Sequence, residues 1–471
     1  MEQLSGHDAS FIYLETPKAH MEGCTLSIYD PSTAPDGTVT FTGILENLQR
    51  RLHLAKMFRQ KLVRVPMDLD HPYWVDDGSF DLEYHVRHIR LPKPGDWRQL
   101  CIQCARLLAR PLDHSKPLWE VYVIEGLDNV DGVPEGSYAM LLKGHHATMD
   151  GTSGMEMFTA IHDLEPDGEP PVPPGPWQPE REPSPFELTM RAAGNAALRP
   201  MQFAATMARV FGGSQELTRQ LLRGEVEFPP PLTVPRTIFN ANVSAHRVVD
   251  GRRFDLAEVK RIKGTLRGAT VNDVLLAVVG GALRAYLGAR SALPPDSLVA
   301  MCPISLRPKG EAATGGNQVG AMTVPLGTNI ANPARRLAAV HRATAQSKVV
   351  QEAVDARQMT ALAQHVPGAL IGIGARMTSD LGLASSTTPP YNTVVTNVPG
   401  PQFPLYACGA RLVTMYSFGM VHDGMGLMNV VSSYCGEVMV SIAADRAMMP
   451  DPAFYADCLE SSFEALAKAA A

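Results

Sequence analysis

Two adjacent histidines, His145 and His146, end an apolar run that begins at Tyr138, and Asp150 and Gly151 follow shortly after. An imidazole titrates near neutrality, so a histidine facing a cleft suits proton abstraction at pH 7. Adjacent side chains on a strand point to opposite faces. His145 and His146 are therefore expected to diverge, one toward a cleft and the other toward the core. Divergence argues against a shared metal, which needs converging ligands, and the zinc pattern HExxH is absent. The chain also shows no GxSxG elbow, no P-loop and no clear GxGxxG. The histidine is thus expected to activate a bound substrate and not a protein nucleophile. An alcohol that it deprotonates could attack a thioester carbonyl directly.

The elements that must position this pair are a strand over 138–146, a turn holding Asp150 and Gly151, and a helix from Ser153 to about Leu164. Apolar spacing also predicts a helix over 41–54, a helix over 97–108 and a strand over 118–125. Residues 165–184 are dense in proline and read as an extended linker. A helix interrupted at Pro200 is expected over 186–223, with an apolar face that either packs on the body or touches lipid. Thr270 and Asp273 resemble a helix N-terminal capping pair. Strands are expected over 297–306, 317–326, 393–397, 412–421, 427–434 and 438–443, with helices over 333–352 and 452–469. The alternation predicts an α/β protein of two lobes with mixed sheets. Residues 1–165 would form the first lobe, 166–240 a linker and helical connector, and 241–471 the second lobe.

Composition excludes several classes. Apolar residues make up 45% of the 471 and charged residues 19%, a balance that supports a core and not a disordered chain. Lys plus Arg is 42 against 48 Asp plus Glu, a net charge of −6, which disfavours a nucleic-acid binder. The seven scattered cysteines predict reduced thiols in a cytosol, and Cys101 and Cys104 would share a helix face for structural reasons. No secretory signal or transmembrane segment is expected. Basic residues crowd from Arg50 to Arg64, either as a solvated face or as a patch for phosphates or anionic lipid.

HHATMDG matches the HHxxxDG motif of the CoA-dependent acyltransferase superfamily. Further motifs occur in order: LSGHD at 4–8 with Phe11, PLW at 117–119, Asn272-Asp273, PISLRP at 303–308, Gly316-Asn317, NVPGP at 397–401 and DGMGL at 423–427. Together they make the chain resemble the bacterial wax ester synthase/acyl-CoA:diacylglycerol acyltransferase family over residues 4 to about 450. The resemblance implies two chloramphenicol acetyltransferase-like lobes around a central channel, entered by acyl-CoA from one side and a lipid alcohol from the other. It implies His146 as general base, His145 in support, and no cofactor beyond the acyl-CoA substrate. It further implies that Asp150 is structural and pairs with an arginine, for which Arg307 is the candidate, and that Gly151 gives the turn its freedom. Diacylglycerol or fatty alcohol would be the acceptor. The protein would be cytoplasmic, with peripheral contact to a membrane or lipid droplet.

The remaining motif residues have simpler structural explanations. Trp119 is expected to pack between strand and helix ahead of lining the channel. Capping explains Asn272 and Asp273 about as well as support of the site does. Asn397 falls in a turn after a strand, and Asp423 in a loop where a channel wall is plausible. A carrier-bound acyl donor, a non-catalytic lipid-binding protein and a metal-dependent hydrolase are the competing readings.

Overall fold

A computed structural model describes residues 1–148, 153–198, 201, 203, 207, 234–305, 319–353 and 368–470. Two six-stranded mixed sheets, each with its own apolar core, form two α/β lobes. The first sheet runs in the order Tyr406–Ala407, Ala410–Phe418, Glu22–Asp30, Tyr138–His145, Trp119–Glu125, Val86–Arg90. Its neighbours are antiparallel except the last pair, which is parallel. The second sheet runs Val319–Pro325, Val299–Ser305, Thr393–Pro399, Leu427–Tyr434, Glu437–Asp445, Arg247–Asp255. Here Thr393–Pro399 is parallel to both of its neighbours. A small third sheet pairs Glu2–Gln3, Tyr73–Asp76 and Gln60–Val63.

Local chemistry explains where several elements start. Ser5 caps the helix Gly6–Tyr13 by accepting from the Asp8 N–H at 3.1 Å. Asp96 caps Trp97–Leu108, whose Cys101 and Cys104 are buried as free thiols. Thr270 and Asp273 form the expected capping box on Val271–Gly288. That helix is long and apolar enough to cross a bilayer, with mean hydropathy 1.3, yet 72% of it is buried inside the protein. It is the central helix of the second core.

Two departures from the expected pattern have tertiary causes. The helix after the histidine pair spans Ser153–Ala160 and stops short of Leu164. Asp163 leaves the helical path to exchange two backbone hydrogen bonds with Tyr406, at 2.7 and 2.9 Å. The strand expected over 412–421 spans Ala410–Phe418 and pairs with Glu22–Asp30 of the first sheet. The 241–471 stretch thus supplies strands to both sheets. Arg247–Asp255 reaches back as well, where Asp250 accepts from the Trp97 indole N–H at 2.8 Å.

Some of the basic residues at 50–64 are engaged within the fold, while Arg50, Lys56 and Arg64 stay exposed. Arg51 is buried against Asp163, Lys61 pairs with Asp77 and Glu182, and Arg64 pairs with Asp68. Arg59 lies over the Trp177 ring of the proline-rich segment, 4.5 Å from its centroid. By its burial, Arg51 is withdrawn from any surface patch for phosphates or anionic lipid.

The helix from 185 to 198 buries Leu188 and Ala192 against Val65, Tyr73 and Val75. Phe186, Met190, Leu198, Met201 and Phe203 stay exposed. Part of the expected apolar face, among the described residues, is therefore open to solvent. Its continuation from 208 to 223 lies outside the described residues.

Candidate active site

The strand Tyr138–His145 is buried along its whole length. Register pairs His145 with Glu22 on one side, and the His145 N–H donates to the Leu118 carbonyl on the other at 3.1 Å. Two residues earlier on the same strand, Lys143 is fully buried and meets Glu22 at 2.7 Å. The Lys143 ammonium also donates to the carbonyls of Leu107 and Arg110. Glu22 in turn accepts from the Leu112 N–H at 2.6 Å. A buried charge needs such full pairing to be tolerated. This arrangement pins the strand immediately before the histidines.

The two histidines do diverge. His145 is 0% exposed and turns inward. Its Nδ1 accepts from the Ala147 N–H at 2.9 Å, and its Nε2 lies 3.2 Å from Glu15 Oε1. The Ala147 donor requires a bare Nδ1, so the ring proton sits on Nε2 and points at the carboxylate. His114 meets the other oxygen of Glu15 at 3.1 Å, and the Met21 N–H donates to Oε1 at 3.0 Å. Burial pushes the Glu15 carboxyl pKa up, but the hydrogen bonds from His114 and His145 outweigh it. They hold the group well below the ordinary carboxylate range.

Glu15, His114 and His145 place their ligating atoms within 4.8 Å of one another, a spacing a cation could use. The tautomer argues against that reading. A neutral histidine that ligates through Nε2 carries its proton on Nδ1, where the Ala147 N–H already donates. The trio is better described as a hydrogen-bonded network around one carboxylate.

His146 takes the opposite side and is only half-buried. Its backbone N–H donates to the Met21 carbonyl at 2.8 Å. Its ring stacks on Phe11, with centroids 5.2 Å apart, and His7 meets Phe11 edge-on at 5.3 Å. Gly23 keeps space beside it, since a Cβ there would stand 3.3 Å from the Phe418 carbonyl oxygen and 4.0 Å from His146 Nε2. Desolvation by burial is the main cause that lowers the His146 pKa to about 4. The imidazole is neutral at pH 7. Among the described residues no side chain hydrogen-bonds its ring nitrogens.

The other expected site residues fall elsewhere. Asp150, Gly151 and Arg307 lie outside the described residues. Trp119 is 1% exposed, stacks on His85 at 4.5 Å and donates its indole N–H to the Phe58 carbonyl. It is a core residue. Asn272 stands in the first turn of Val271–Gly288. Asp273 is buried and accepts from Thr344 at 2.6 Å, the Thr270 N–H at 2.8 Å and His341 at 3.0 Å. Asn397 is exposed on its strand, and Asp423 accepts from the Val243 N–H at 2.8 Å. Glu15, His114, Met21 and Lys143 carry no signal in the motif itself. Only the buried strand position of Lys143, between apolar neighbours, marks it in the sequence as a residue in need of a partner.

Known proteins agree with this frame. Residues 4–275 match the family described as the wax ester synthase/diacylglycerol acyltransferase catalytic domain, and residues 315–467 match its C-terminal domain. A Mycobacterium tuberculosis protein with the provisional name diacylglycerol O-acyltransferase is 33% identical over 96% of this chain and 87% of its own. A similarly named Mycobacterium bovis protein is 31% identical over 100% of this chain and 99% of its own. The structure of the wax ester synthase/diacylglycerol acyltransferase from Marinobacter aquaeolei superposes with a TM-score of 0.70, at 26% identity and full coverage of both chains. The first condensation domain of the calcium-dependent antibiotic synthetase shares the fold, with a TM-score of 0.55 at 16% identity over 100% of this chain and 96% of its own. By sequence and by fold, the chain is an acyltransferase that belongs to the wax ester synthase/diacylglycerol acyltransferase family.

Proposed function

We propose that the protein moves a long-chain acyl group from acyl-CoA to a lipid alcohol, diacylglycerol or a fatty alcohol, with His146 as general base. The observation that carries the reading is the state of His146: neutral, half-buried, its backbone fixed by Met21 and its ring by Phe11. A neutral imidazole has a lone pair ready for a hydroxyl proton. As the proton moves to the ring, the alcohol oxygen attacks the thioester carbonyl. The tetrahedral intermediate collapses with cleavage of the C–S bond, and the CoA thiolate takes the proton back from the imidazolium. Proximity of the two bound substrates supplies much of the acceleration. Asp150 and Arg307 would hold the turn that follows, with Gly151 lending it conformational freedom, and no cofactor takes part.

The test is CoA-thiol release from palmitoyl-CoA with no acceptor, with hexadecanol or with diacylglycerol. His146→Ala is expected to lose acceptor-dependent release by at least about 10³-fold while remaining folded. Acceptor-dependent turnover in that variant at the wild-type rate would sink the base assignment. Release without acceptor would indicate a thioesterase.

A peripheral lipid contact from the cytoplasm fits such acceptors, which partition into bilayers and droplets. The exposed Phe186, Met190, Leu198, Met201 and Phe203 support it. With Arg51 and Lys61 engaged inside the fold, binding is expected to be driven mainly by these apolar side chains, with a smaller electrostatic share from the exposed Arg50, Lys56 and Arg64. Liposome flotation should therefore persist at high salt, and no flotation on any liposome would remove the proposal.

A further inference from the structure

We infer that Glu15 is a positioning residue for acyl transfer, which fixes the tautomer of His145 and, with the Met21 peptide, the backbone that presents His146. The inference rests on His146 being the base. Glu15 follows the helix Gly6–Tyr13 and is 14% exposed. Its Oε1 receives the Met21 N–H at 3.0 Å and faces His145 Nε2 at 3.2 Å. The Met21 carbonyl holds the His146 N–H at 2.8 Å, and His145 Nδ1 holds the Ala147 N–H at 2.9 Å. The two peptide N–H groups that bracket the His146 side chain are thus each held by a group that Glu15 itself holds. His114 occupies the remaining oxygen at 3.1 Å.

The tautomer is the sensitive element. A carboxylate accepts and never donates when ionised, so it keeps the proton on His145 Nε2. Without that acceptor the Nδ1–H form becomes accessible. An Nδ1–H would face the Ala147 N–H donor to donor, and the 146–147 backbone would have to shift. A misplacement of about 1 Å at a reacting group costs roughly 10²-fold in rate. The effect should fall on turnover, because none of these contacts is one that an acyl-CoA donor replaces.

The experiment compares the full-length wild type with Glu15→Met, Glu15→Gln and His146→Ala. It measures kcat and KM for palmitoyl-CoA with hexadecanol or diacylglycerol as acceptor. It also reads the His145 ring ¹⁵N shifts in histidine-labelled protein, with that signal identified by its loss in His145→Gln. Glu15→Met is expected to lower kcat about 100-fold at nearly constant KM and to move His145 away from the Nε2–H form. Glu15→Gln keeps an acceptor oxygen for His145 and Met21, so it should stay within about five-fold of wild type with the tautomer retained. Wild-type kcat in Glu15→Met, an unchanged His145 tautomer there, or a folded Glu15→Gln as impaired as Glu15→Met would each overturn the inference. If Glu15→Met does not fold, Glu15→Gln decides alone: it must keep both turnover and tautomer. If His146→Ala is inactive and Glu15→Met is not impaired, only the positioning role fails. If His146→Ala turns over normally, the base assignment fails and takes this inference with it.

Discussion

Two carboxylates in this molecule, the half-buried Glu15 and the buried Asp273, are built from nearly the same parts. Glu15 in the first lobe gathers His145, His114 and a backbone N–H. Asp273 in the second gathers His341, Thr344 and a backbone N–H. In both, burial alone would raise the carboxyl pKa, and donors outweigh it and hold the pKa down. What differs is what each network holds. Asp273 sits at N3 of its own helix and ties Val271–Gly288 to Pro333–Ala353. Glu15 holds Met21 and His145, which in turn accept the peptide N–H groups on either side of a half-buried, neutral imidazole. The chemistry of a hub is thus a weak guide to its role, and its neighbour decides.

This comparison can be broken. The widest gap should separate His146→Ala and Glu15→Met, which lose turnover in folded protein, from Asp273→Ala. The latter strands three donors, that of Thr344 buried and the other two partly buried, and should cost about 2 kcal/mol of stability, read by denaturant unfolding, with kcat per folded molecule unchanged. A catalytic loss there beyond its folded fraction would return Asp273 to the support of the site. Thr344→Val removes only one of its hydrogen bonds and should cost about 1 kcal/mol.

The pH dependence sharpens the contrast further. His146 in the free enzyme is lowered to about 4 from 6.5, so the acid limb of kcat/KM should lie near 4, with activity kept at pH 5.5. A limb at 6.5 would show that the free enzyme does not desolvate this ring. The same shift has a stability consequence. Between pH 6.5 and 4 the unfolded chain binds protons at His146 and His162 that the folded chain refuses. Stability should therefore fall as pH drops through that window, and thermal melts across it would show the slope.

Much of the local structure was legible. The Thr270–Asp273 capping box, the buried Cys101–Cys104 helix face and the divergence of His145 and His146 follow from short-range rules. Helix and strand positions were readable for the same reason, because period and caps are properties of a few neighbouring residues. Trp119 shows the limit of a motif: PLW helps mark the family, yet its tryptophan is buried in the first core.

The sequence by itself determined the family, through motifs in a fixed order, and the place where the strand delivers two imidazoles to opposite faces. Only the tertiary structure decided which carboxylate meets His145, because Glu15 is 130 residues away and no local spacing relates the two. It also decided that Ala410–Phe418 joins the first sheet and that Arg51 and Lys61 are spent on pairs with Asp163, Asp77 and Glu182. Those outcomes depend on which surfaces are left to cover and which charges are left to pair once the two cores have closed.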